Sequence, residues 1–562
     1  MKKTSLLFAS AAVVLLTTAC SKLGALSADN FNVTPNPLET EAGQVPATIN
    51  GMFPEKYMKK KAVVTVVPQL RYQTTDGQKA VNGESTTFQG EKVLGNNQTI
   101  AYRTGGRYTM KTTFNYTPEM HQSDMYLTFN AKIGKKSVKV PDVKVASGIV
   151  ATSELYKRTM LTTQAAIAED AFQRVIAQKQ EANVKFLIGQ ANLRQSELQN
   201  NSVKEFVRLL NQIVKDQEGH ILDGIEVSAY ASPDGGYDIN EQLANKRQDV
   251  TADYVNKQLK ATDANAPVDT RYTAEDWEGF QELVAASNIQ DKDVILRILS
   301  MYKNPEEREQ QIRNISLAFG ELADGILPQL RRARMIINYE VVGRDDEQIL
   351  AQIKQDATKL SIEELLYAAT LYEDDMNGAE AAYKKAIQLY PKDARAYNNM
   401  ATLAYAKGNY SEAEDWAKKA LAVDKNQAEA NANLGLLALR QGDMLAAESY
   451  MAKGATASGL GEVLGNLHLA QGKYAQAEQD FGYKASNSAV LAQIMNKDYQ
   501  AAEKTLKSVK NADATTDYLR AILNARTGNT TEAAKALQQA IAKDPSLADY
   551  AAKDLELVKV KR

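Results

Sequence analysis

The sequence predicts a multidomain chain with an N-terminal β-sandwich, a central α/β domain and a C-terminal all-α repeat solenoid. Its 562 residues are enough for three to four domains at about 150 residues each. Apolar and polar residues alternate with period two within residues 108–131, whereas Ala379, Ala413 and Ala447 recur every 34 residues. Such alternation is typical of half-buried strands, and a fixed period of this length is typical of stacked helical repeats.

The composition argues against several classes of protein. Lysine and arginine number 67 and aspartate and glutamate 69, and the resulting formal charge of −2 does not fit a general nucleic-acid binder. The apolar fraction of 44% is ordinary for a globular protein. One cysteine, Cys20, and three scattered histidines are too few for a structural zinc site or an internal disulfide. We therefore expect no nucleic-acid partner, no metal and no cofactor.

Residues 1–19 have the pattern of a secretion signal. Two lysines follow the initial methionine, residues 6–16 form an apolar run, and small residues precede Cys20. The run is shorter than the ~20 apolar residues that span a bilayer. This arrangement resembles the lipobox of bacterial lipoproteins, in which the cysteine carries acyl chains and becomes the mature N-terminus.

The resemblance implies that Cys20 is the lipid attachment site and that its acyl chains bind the lipid of the outer membrane. Thr17 stands where the lipobox usually has leucine, and Ser21 differs from the aspartate that retains some lipoproteins at the inner membrane. Acidic residues, which follow the cysteine in some surface-exported lipoproteins, begin only at Asp29. We expect an outer-membrane protein facing the periplasm, with residues 20–32 as a lipidated linker. The alternative is a chance cysteine beside a plain signal peptide.

Residues 33–150 are predicted to form an antiparallel β-sandwich. Residues 62–67 are a β-branched run ended by Pro68, and residues 108–116 and 125–131 alternate apolar and polar side chains. Glycine-containing turns separate these runs. This spacing is typical of two packed sheets, each with one solvated face.

Residues 182–342 are predicted to form an α/β domain between a connector at 151–181 and a linker helix at 343–359. Helices are expected where apolar residues recur every three or four positions. The predicted elements are strands at 184–188, 224–230 and 331–341 and helices at 202–216 and 240–259. Residues 262–325 fit neither half of this domain and are expected to be a helical insertion.

Residues 228–247 resemble the centre of OmpA-like peptidoglycan-binding domains. In that family a strand and a glycine-containing turn lead into a helix with spaced asparagine, leucine and arginine residues, and Asn240, Leu243 and Arg247 keep this spacing. The resemblance implies that Arg247 pairs with the carboxylate of diaminopimelate in the peptidoglycan stem. Asn240 matches the asparagine of the family.

The turn before this helix departs from the family. An aspartate there binds the ammonium group of diaminopimelate, but Ser232 occupies its position and supplies no charge. Asp234 lies two residues further on and is the candidate replacement. One interpretation is a peptidoglycan site at Ser232, Asp234, Asn240 and Arg247. The other is a Pro-Asp-Gly turn beside a solvent-facing helix arginine, in a domain that has lost or changed its ligand.

Residues 360–562 are predicted to form helical repeats. Residues 394–424 resemble the tetratricopeptide repeat, with small residues where two helices approach and a Gly-Asn turn between them. Repeat units are expected to start near residues 360, 394, 428, 459, 486 and 514. The resemblance implies that an unknown protein partner binds the concave face. Side chains expected to face that groove are Arg395, Asn398, Thr402, Tyr405, Ala432, Leu436 and Leu439. Each of them, taken singly, also fits a packing or solvated position.

The sequence contains no recognised catalytic motif, and its many carboxylates leave a two-carboxylate hydrolase as an open alternative without a positive signal. It has no Gly-x-Ser-x-Gly elbow and no His-Glu-x-x-His helix, and Gly472-Lys473 is followed by Tyr474 rather than by the Ser or Thr of a phosphate loop. The sequence therefore predicts a non-enzymatic lipoprotein that tethers or scaffolds a cell-envelope complex, with its central domain toward peptidoglycan and its repeats on a protein partner. The alternative is a surface-exposed glycan-binding or adhesion lipoprotein whose central domain is only structural.

Overall fold

The computed structural model describes residues 22–289, 291–314 and 316–560. The signal segment 1–19 and Cys20 lie outside the described residues. The chain forms two compact units. The first unit combines the chain up to Glu169 with the chain from Tyr372, and the middle unit is Asp170–Leu371. The strand-rich N-terminal region and most of the C-terminal helices therefore belong to one compact body.

The N-terminal part of the first unit is rich in strands, as predicted. Its strands are β1 (Phe31–Thr34), β2 (Leu38–Glu39), β3 (Gln44–Phe53), β4 (Ala62–Thr74), β5 (Gly77–Asn82), β6 (Thr86–Gly90), β7 (Gln98–Ile100), β8 (Gly106–Asn115), β9 (Asp124–Ile133), β10 (Lys136–Lys139), β11 (Val143–Ser147) and β12 (Ile149–Val150), and helix α1 (Tyr156–Thr159) follows. One sheet has the order β1-β3-β8. A seven-stranded sheet has the path β10-β9-β4-β6-β7, with β11 beside β9 and β5 beside β4. Inward side chains of both sheets, such as Ile49 and Leu127, share one core.

Strand β4 does not end at Pro68, which corrects the prediction made from the β-branched run. The strand continues to Thr74, with buried and half-buried residues alternating over most of its length. Pro68 lies where the partner on one side changes, because β6 pairs with residues 63–66 and β5 with residues 69–74. Proline has no backbone N–H, so a break in the pairing tolerates it.

The middle unit contains a four-stranded sheet with helices packed against it. Its elements are β13 (Val175–Lys185), α2 (Gln195–Leu198), α3 (Asn201–Lys215), β14 (His220–Tyr230), α4 (Tyr237–Thr262), β15 (Val268–Thr273), α5 (Trp277–Ala286), α6 (Lys292–Met301), α7 (Pro305–Arg313), α8 (Ser316–Glu321), α9 (Leu327–Leu330), β16 (Arg332–Val342), α10 (Asp346–Asp356) and α11 (Ile362–Thr370). The strand order is β13-β16-β14-β15. Apolar residues of α3 and α4, such as Phe206 and Val255, form a core with Val184, Val227 and Ile337 of the sheet.

The segment 262–325 is not wholly helical, contrary to the prediction. Helices α5, α6, α7 and α9 share a small core that includes Phe280, Ile295 and Leu327. However, β15 adds an edge strand that pairs in parallel with β14. Five residues of β15 are exposed. The strand therefore lacks the apolar alternation by which a sequence reveals a strand.

The C-terminal region of the chain is all-helical, as predicted. Its helices are α12 (Met376–Leu389), α13 (Ala394–Ala406), α14 (Tyr410–Val423), α15 (Ala428–Gln441), α16 (Met444–Lys453), α17 (Leu460–Ala470), α18 (Tyr474–Phe481), α19 (Asn487–Met495), α20 (Tyr499–Ser508), α21 (Ala514–Arg526), α22 (Thr530–Lys543) and α23 (Leu547–Lys553). Consecutive helices from α13 to α22 pack in pairs. Glycine permits the close approach in two pairs, since a Cβ on Gly435 or Gly465 would lie 2.7 Å from the side chain of Met451 or Phe481. Among the described residues, no helix combines the length and the apolar character needed to cross a bilayer.

Candidate functional site

A pocket opens at the C-terminal end of β14, where the chain turns into α4. The cavity has a volume of about 140 Å³. The lining residues are Ile188, Gly189, Ala231, Ser232, Asp234, Gly235, Ile239, Asn240, Leu243, Arg247 and Arg331. The structure thus brings together all four residues that the sequence singled out for peptidoglycan binding. We call this cavity the arginine pocket.

Arg247 lies at the base of the arginine pocket and is only 1% exposed. It is therefore not the solvent-facing arginine of the alternative interpretation. Its Nε donates a hydrogen bond to the carbonyl of Gln190 (3.0 Å), Nη1 donates to that of Tyr230 (2.9 Å) and Nη2 to that of Leu187 (3.3 Å). Burial, together with the nearby positive charge of Arg331, lowers the pKa of Arg247 to about 10, so the guanidinium stays charged at neutral pH.

Arg331 is a second buried arginine in the pocket and is missing from the site that the sequence predicted. Its Nε donates to Ser232 Oγ at 3.1 Å, and its Nη2 lies 2.8 Å from Asp234 Oδ2. Ser232 Oγ also donates to Asp234. The signal in the sequence is the pair Arg331-Arg332 at the start of β16.

Asn240 shapes the turn that carries these groups. Its Nδ2 donates to the carbonyl of Gly235 at 2.9 Å, which ties the first turn of α4 back to the Pro-Asp-Gly turn. Asn240 is buried, so its position fits a structural role in presenting Asp234. The turn thereby holds Asp234 against Arg331.

The arginine pocket combines net positive charge with an apolar rim. Arg247 and Arg331 supply two positive charges, and among the lining residues Asp234 supplies the one negative charge. At the mouth, Ile188 is 67% exposed and Ile239 is 63% exposed. Such a pocket can bind an anionic group through its arginines, because guanidinium pairs with carboxylate in a fixed geometry.

A second arrangement lies in the first unit, where a stretch of the chain fills the groove of the helical repeats. Residues 152–169, which we call the groove segment, contact the first helices of the pairs: α13, α15, α17, α19 and α21. The segment runs along the groove from the last pair to the first. Arg158 Nε donates to Thr515 Oγ1 of α21 at 3.1 Å, whereas the N–H of Ala168 donates to Asn399 Oδ1 of α13 at 2.8 Å.

Asparagines of α13, α15 and α17, the first helices of three successive pairs, bind the groove segment near its C-terminal end. Ala166 donates its N–H to Asn433 Oδ1 at 2.6 Å, and its carbonyl accepts from Asn433 Nδ2 at 2.8 Å and from Asn398 Nδ2 at 3.0 Å. Asn399 Nδ2 returns a hydrogen bond of 2.9 Å to the carbonyl of Ala168. Asn466 Nδ2 donates to Thr163 Oγ1 at 3.0 Å. The groove thus contacts mainly the backbone of its occupant.

The structure places the predicted groove residues in different surroundings. Asn398 contacts the groove segment as described, Tyr405 donates to the carbonyl of Met160 at 3.5 Å, and Arg395 donates to the carbonyl of Glu169 at 3.5 Å. Thr402 instead donates to a carbonyl of its own helix, and Leu436 is fully buried in the core of the repeats.

Sequence reasoning missed three of the asparagines that bind the groove segment, namely Asn399, Asn433 and Asn466. The signal that could have revealed them is their repetition along the chain. Asn399, Asn433 and Asn466 occupy the sixth or seventh position of α13, α15 and α17.

Within the described parts of the chain, no three His, Cys, Asp or Glu residues are grouped so that they could hold a metal ion.

Comparison with known proteins identifies the helical region. The profile of the tetratricopeptide repeat matches residues 371–437. None of the curated protein sequences matches the chain.

Solved structures similar to the chain include a tetratricopeptide repeat protein from Parabacteroides merdae (18% identity, 38% of this chain and 90% of the other, TM-score 0.27). PilF of Pseudomonas aeruginosa is also similar (18% identity, 34% and 95%, TM-score 0.28). A third is YrrB, described as a repeat protein with an unusual peptide-binding site (20% identity, 37% and 100%, TM-score 0.21). Residues 371–437, at the start of the C-terminal helices, are therefore similar to the tetratricopeptide repeat.

Proposed function

We propose that the protein is a non-enzymatic outer-membrane lipoprotein that scaffolds a cell-envelope complex, with the middle unit binding peptidoglycan and the repeats serving protein contacts. The observation that carries this proposal is the meeting of Arg247, Arg331 and Asp234 in one cavity, in a segment that resembles OmpA-like domains. Acyl chains on Cys20 provide the membrane attachment.

The arginine pocket offers groups for both charges of diaminopimelate. A carboxylate that enters the pocket competes with Asp234 for Arg331, since both arginines favour an anion there. Once released from Arg331, Asp234 is free to pair with the ammonium group of the same ligand. Binding thus exchanges an internal ion pair for two ligand pairs, without leaving a buried charge unpaired, which would be costly.

Co-sedimentation of the mature chain with purified sacculi tests this function. We expect the wild-type chain to sediment with sacculi and Arg331→Ala to bind ten- to hundredfold more weakly, because a charge-assisted hydrogen bond contributes about 1.5–3 kcal/mol. Arg271→Ala, which removes an exposed arginine of the same unit, is the matched control and should bind as the wild type does. Absence of sacculus binding by the folded wild-type chain would reject the peptidoglycan part of the proposal.

The anchor is tested separately. Replacement of Cys20 by alanine should abolish labelling by a clickable fatty acid and release the protein from the membrane fraction. Unchanged labelling of the Cys20→Ala variant would exclude the proposed attachment. Protease treatment of intact cells distinguishes the two orientations, because a protein facing the periplasm is protected.

The second candidate function is surface adhesion through glycan binding by the strand-rich region. A trough of about 610 Å³ lies on the outer face of the β1-β3-β8 sheet, where Asn32, Asn50 and Thr109 are cross-strand neighbours. Amide and hydroxyl groups suit the hydroxyls of a sugar. Cleavage of this region by protease on intact cells, together with loss of glycan binding in Asn50→Ala, would favour adhesion over the periplasmic scaffold.

A further inference from the structure

The groove segment consists of two halves that the repeats hold differently. In residues 152–160, Leu155, Tyr156 and Met160 are buried in the same core as the helices of the repeats. Arg158 adds an ion pair with Asp544. This half is an integral part of the packing, because burial of large apolar side chains is a main source of stability.

Residues 163–169 lack such anchors. The side chains that they bury most deeply, Thr163, Ala166 and Ala168, are small, whereas Ile167 is exposed. The contacts of this half are mostly hydrogen bonds to its backbone from asparagine amides, with Glu462 Oε1 accepting from the N–H of Gln164 at 3.3 Å. Any extended peptide presents the same backbone groups, so another peptide with small residues at alternate positions could make these bonds equally well.

The last residue of this half adds a preference for acidic side chains. Glu169 Oε1 accepts a hydrogen bond from Ser458 Oγ at 2.6 Å, and its carbonyl accepts from Arg395. The groove between α13 and α17 therefore fits an extended peptide in which two small residues flank a variable one and an acidic residue follows.

We propose that residues 163–169 are a displaceable occupant of the groove, and that the protein partner supplies an extended peptide with the pattern small-variable-small-acidic that takes their place. Residues 152–160 stay bound during this exchange. The inference deepens the protein-binding part of the proposed function and is independent of peptidoglycan binding.

The covalent link gives the resident residues an advantage, because their effective concentration at the groove is high. A peptide added in trans therefore binds well only when the resident residues are weakened. Ala166→Pro with Ala168→Pro removes two of the three backbone N–H donors of the resident residues and leaves every groove side chain in place.

The test uses the full chain and a fluorescein-labelled peptide of residues 161–169, with binding measured by anisotropy. We expect the double-proline variant to bind the peptide at least tenfold more tightly than the wild type. Asn433→Ala in the double-proline background should reverse most of this gain. Asn431→Ala is the matched control, because Asn431 lies on the same helix and its Nδ2 bonds to the carbonyl of Gln427. Equal, weak binding by the wild-type and double-proline chains would overturn the proposal.

Hydrogen exchange of the wild-type chain gives a second test that needs no substitution. The amides of Gln164, Ala166 and Ala168 should exchange through a local opening whose rate barely changes with low concentrations of denaturant. If these amides exchange only when the whole first unit unfolds, residues 163–169 never leave the groove of the folded unit and the proposal is wrong. Sacculus binding is measured separately, so failure of either test leaves the other result interpretable.

Discussion

The arginine pocket and the groove of the repeats present different kinds of binding group. In the pocket, charged side chains meet in a small cavity, with Arg331 paired to Asp234 beside Arg247. In the groove, neutral amides such as Asn398 and Asn433 bind the backbone of a peptide. Charged groups select a charged ligand, whereas amides select an extended chain of any suitable sequence. The comparison shows that charged side chains face the cavity of the middle unit, whereas neutral amides that bind backbone groups line the groove of the first unit.

The two sites also differ in what the loss of a single side chain should do to each of them. Arg247 binds three backbone carbonyls, so its loss affects the fold of the middle unit as well as any ligand. The asparagines of the groove have overlapping roles, because Asn398 and Asn433 both donate to the carbonyl of Ala166. When one of these amides is lost, the other still donates to the same carbonyl. Substitutions at the two sites should therefore differ in how much they lower the free energy of unfolding.

The largest expected effect is that of Arg247→Ala on stability. The substitution removes a side chain that is 1% exposed, together with its hydrogen bonds to the carbonyls of Leu187, Gln190 and Tyr230. We therefore expect a loss on the order of 3 kcal/mol in the free energy of unfolding of the middle unit. Urea unfolding followed by the fluorescence of Trp277 measures it. The chain has two tryptophans, and Trp416→Phe removes the signal of the first unit.

Arg271→Ala, at an exposed arginine of the middle unit, is the control for this experiment and should change the stability by less than about 0.5 kcal/mol. A loss below about 1 kcal/mol for Arg247→Ala would show that the carbonyls find other donors. Arg247 would then resemble the groove asparagines, and this part of the comparison would no longer hold.

A gain of ligand binding is the next largest effect, and it concerns Ser232. An aspartate at this position restores the acidic residue of the OmpA-like family and competes with Asp234 for Arg331. One carboxylate then remains available for the ammonium of diaminopimelate, so we expect Ser232→Asp to tighten sacculus binding roughly tenfold, or about 1.4 kcal/mol. Co-sedimentation measures the change, with Ser300→Asp as a control for added negative charge on the middle unit.

The charge-based contacts also predict a dependence on salt. Sacculus binding through the arginine pocket should weaken as the salt concentration rises, because mobile ions screen charged groups near the surface. If Ser232→Asp fails to tighten binding and the wild-type chain ignores sacculi at low salt, the middle unit is a structural scaffold. The function then rests on the first unit.

A smaller effect is expected for Asn433→Ala in the groove. The substitution removes both hydrogen bonds between Asn433 and Ala166, but Asn398 still donates to the carbonyl of Ala166. We expect the first unit to lose about 1–2 kcal/mol, measured by urea unfolding through Trp416 in a Trp277→Phe background. Asn431→Ala, whose side chain bonds within its own helix, should cost less. An equal loss for the two variants would show that the groove segment adds nothing at this position.

Much of this architecture could be predicted from the sequence because it repeats or alternates. First helices of the repeats begin at Ala394, Ala428, Leu460, Asn487 and Ala514, close to the predicted starts of the repeat units, with spacings of 34, 32, 27 and 27 residues. The spacing of Asn240 and Arg247 likewise indicated one common site, and both residues line the arginine pocket. Periodic patterns reflect local packing, which a sequence records directly.

Other features could not be predicted, because their causes lie in distant residues. The alanines of the groove segment carry no pattern that indicates a groove, since the asparagines that bind them are more than 200 residues away. β15 is stabilised by its pairing with β14 and not by apolar alternation. Arg331 lies 97 residues from Asp234, so their ion pair appears only in the folded chain.

The smallest expected effect concerns His121 and the response of the first unit to pH. The imidazole is buried, its Nε2 has no hydrogen-bond partner among the described residues, and its ring centroid lies 5.6 Å from that of Tyr550. Burial, with a smaller contribution from Lys553, lowers the pKa of His121. The neutral imidazole is therefore favoured in the folded state, in contrast to Arg247, which stays charged although buried.

Because the folded state disfavours the proton, the unfolded chain binds more protons once the pH falls below about 6.5, and the first unit loses stability there. One proton contributes a slope of at most about 1.4 kcal/mol per pH unit. Urea unfolding through Trp416 between pH 7.5 and pH 5 should therefore show a decline that is shallower in His121→Phe. The difference between the two curves isolates the histidine from carboxylates such as Asp554, whose burial raises its pKa and acts in the opposite direction. If the stability of the wild type and of His121→Phe declined in parallel, His121 would accept its proton as easily in the folded unit as in the unfolded chain. A buried charge would then be tolerated here, as it is at Arg247.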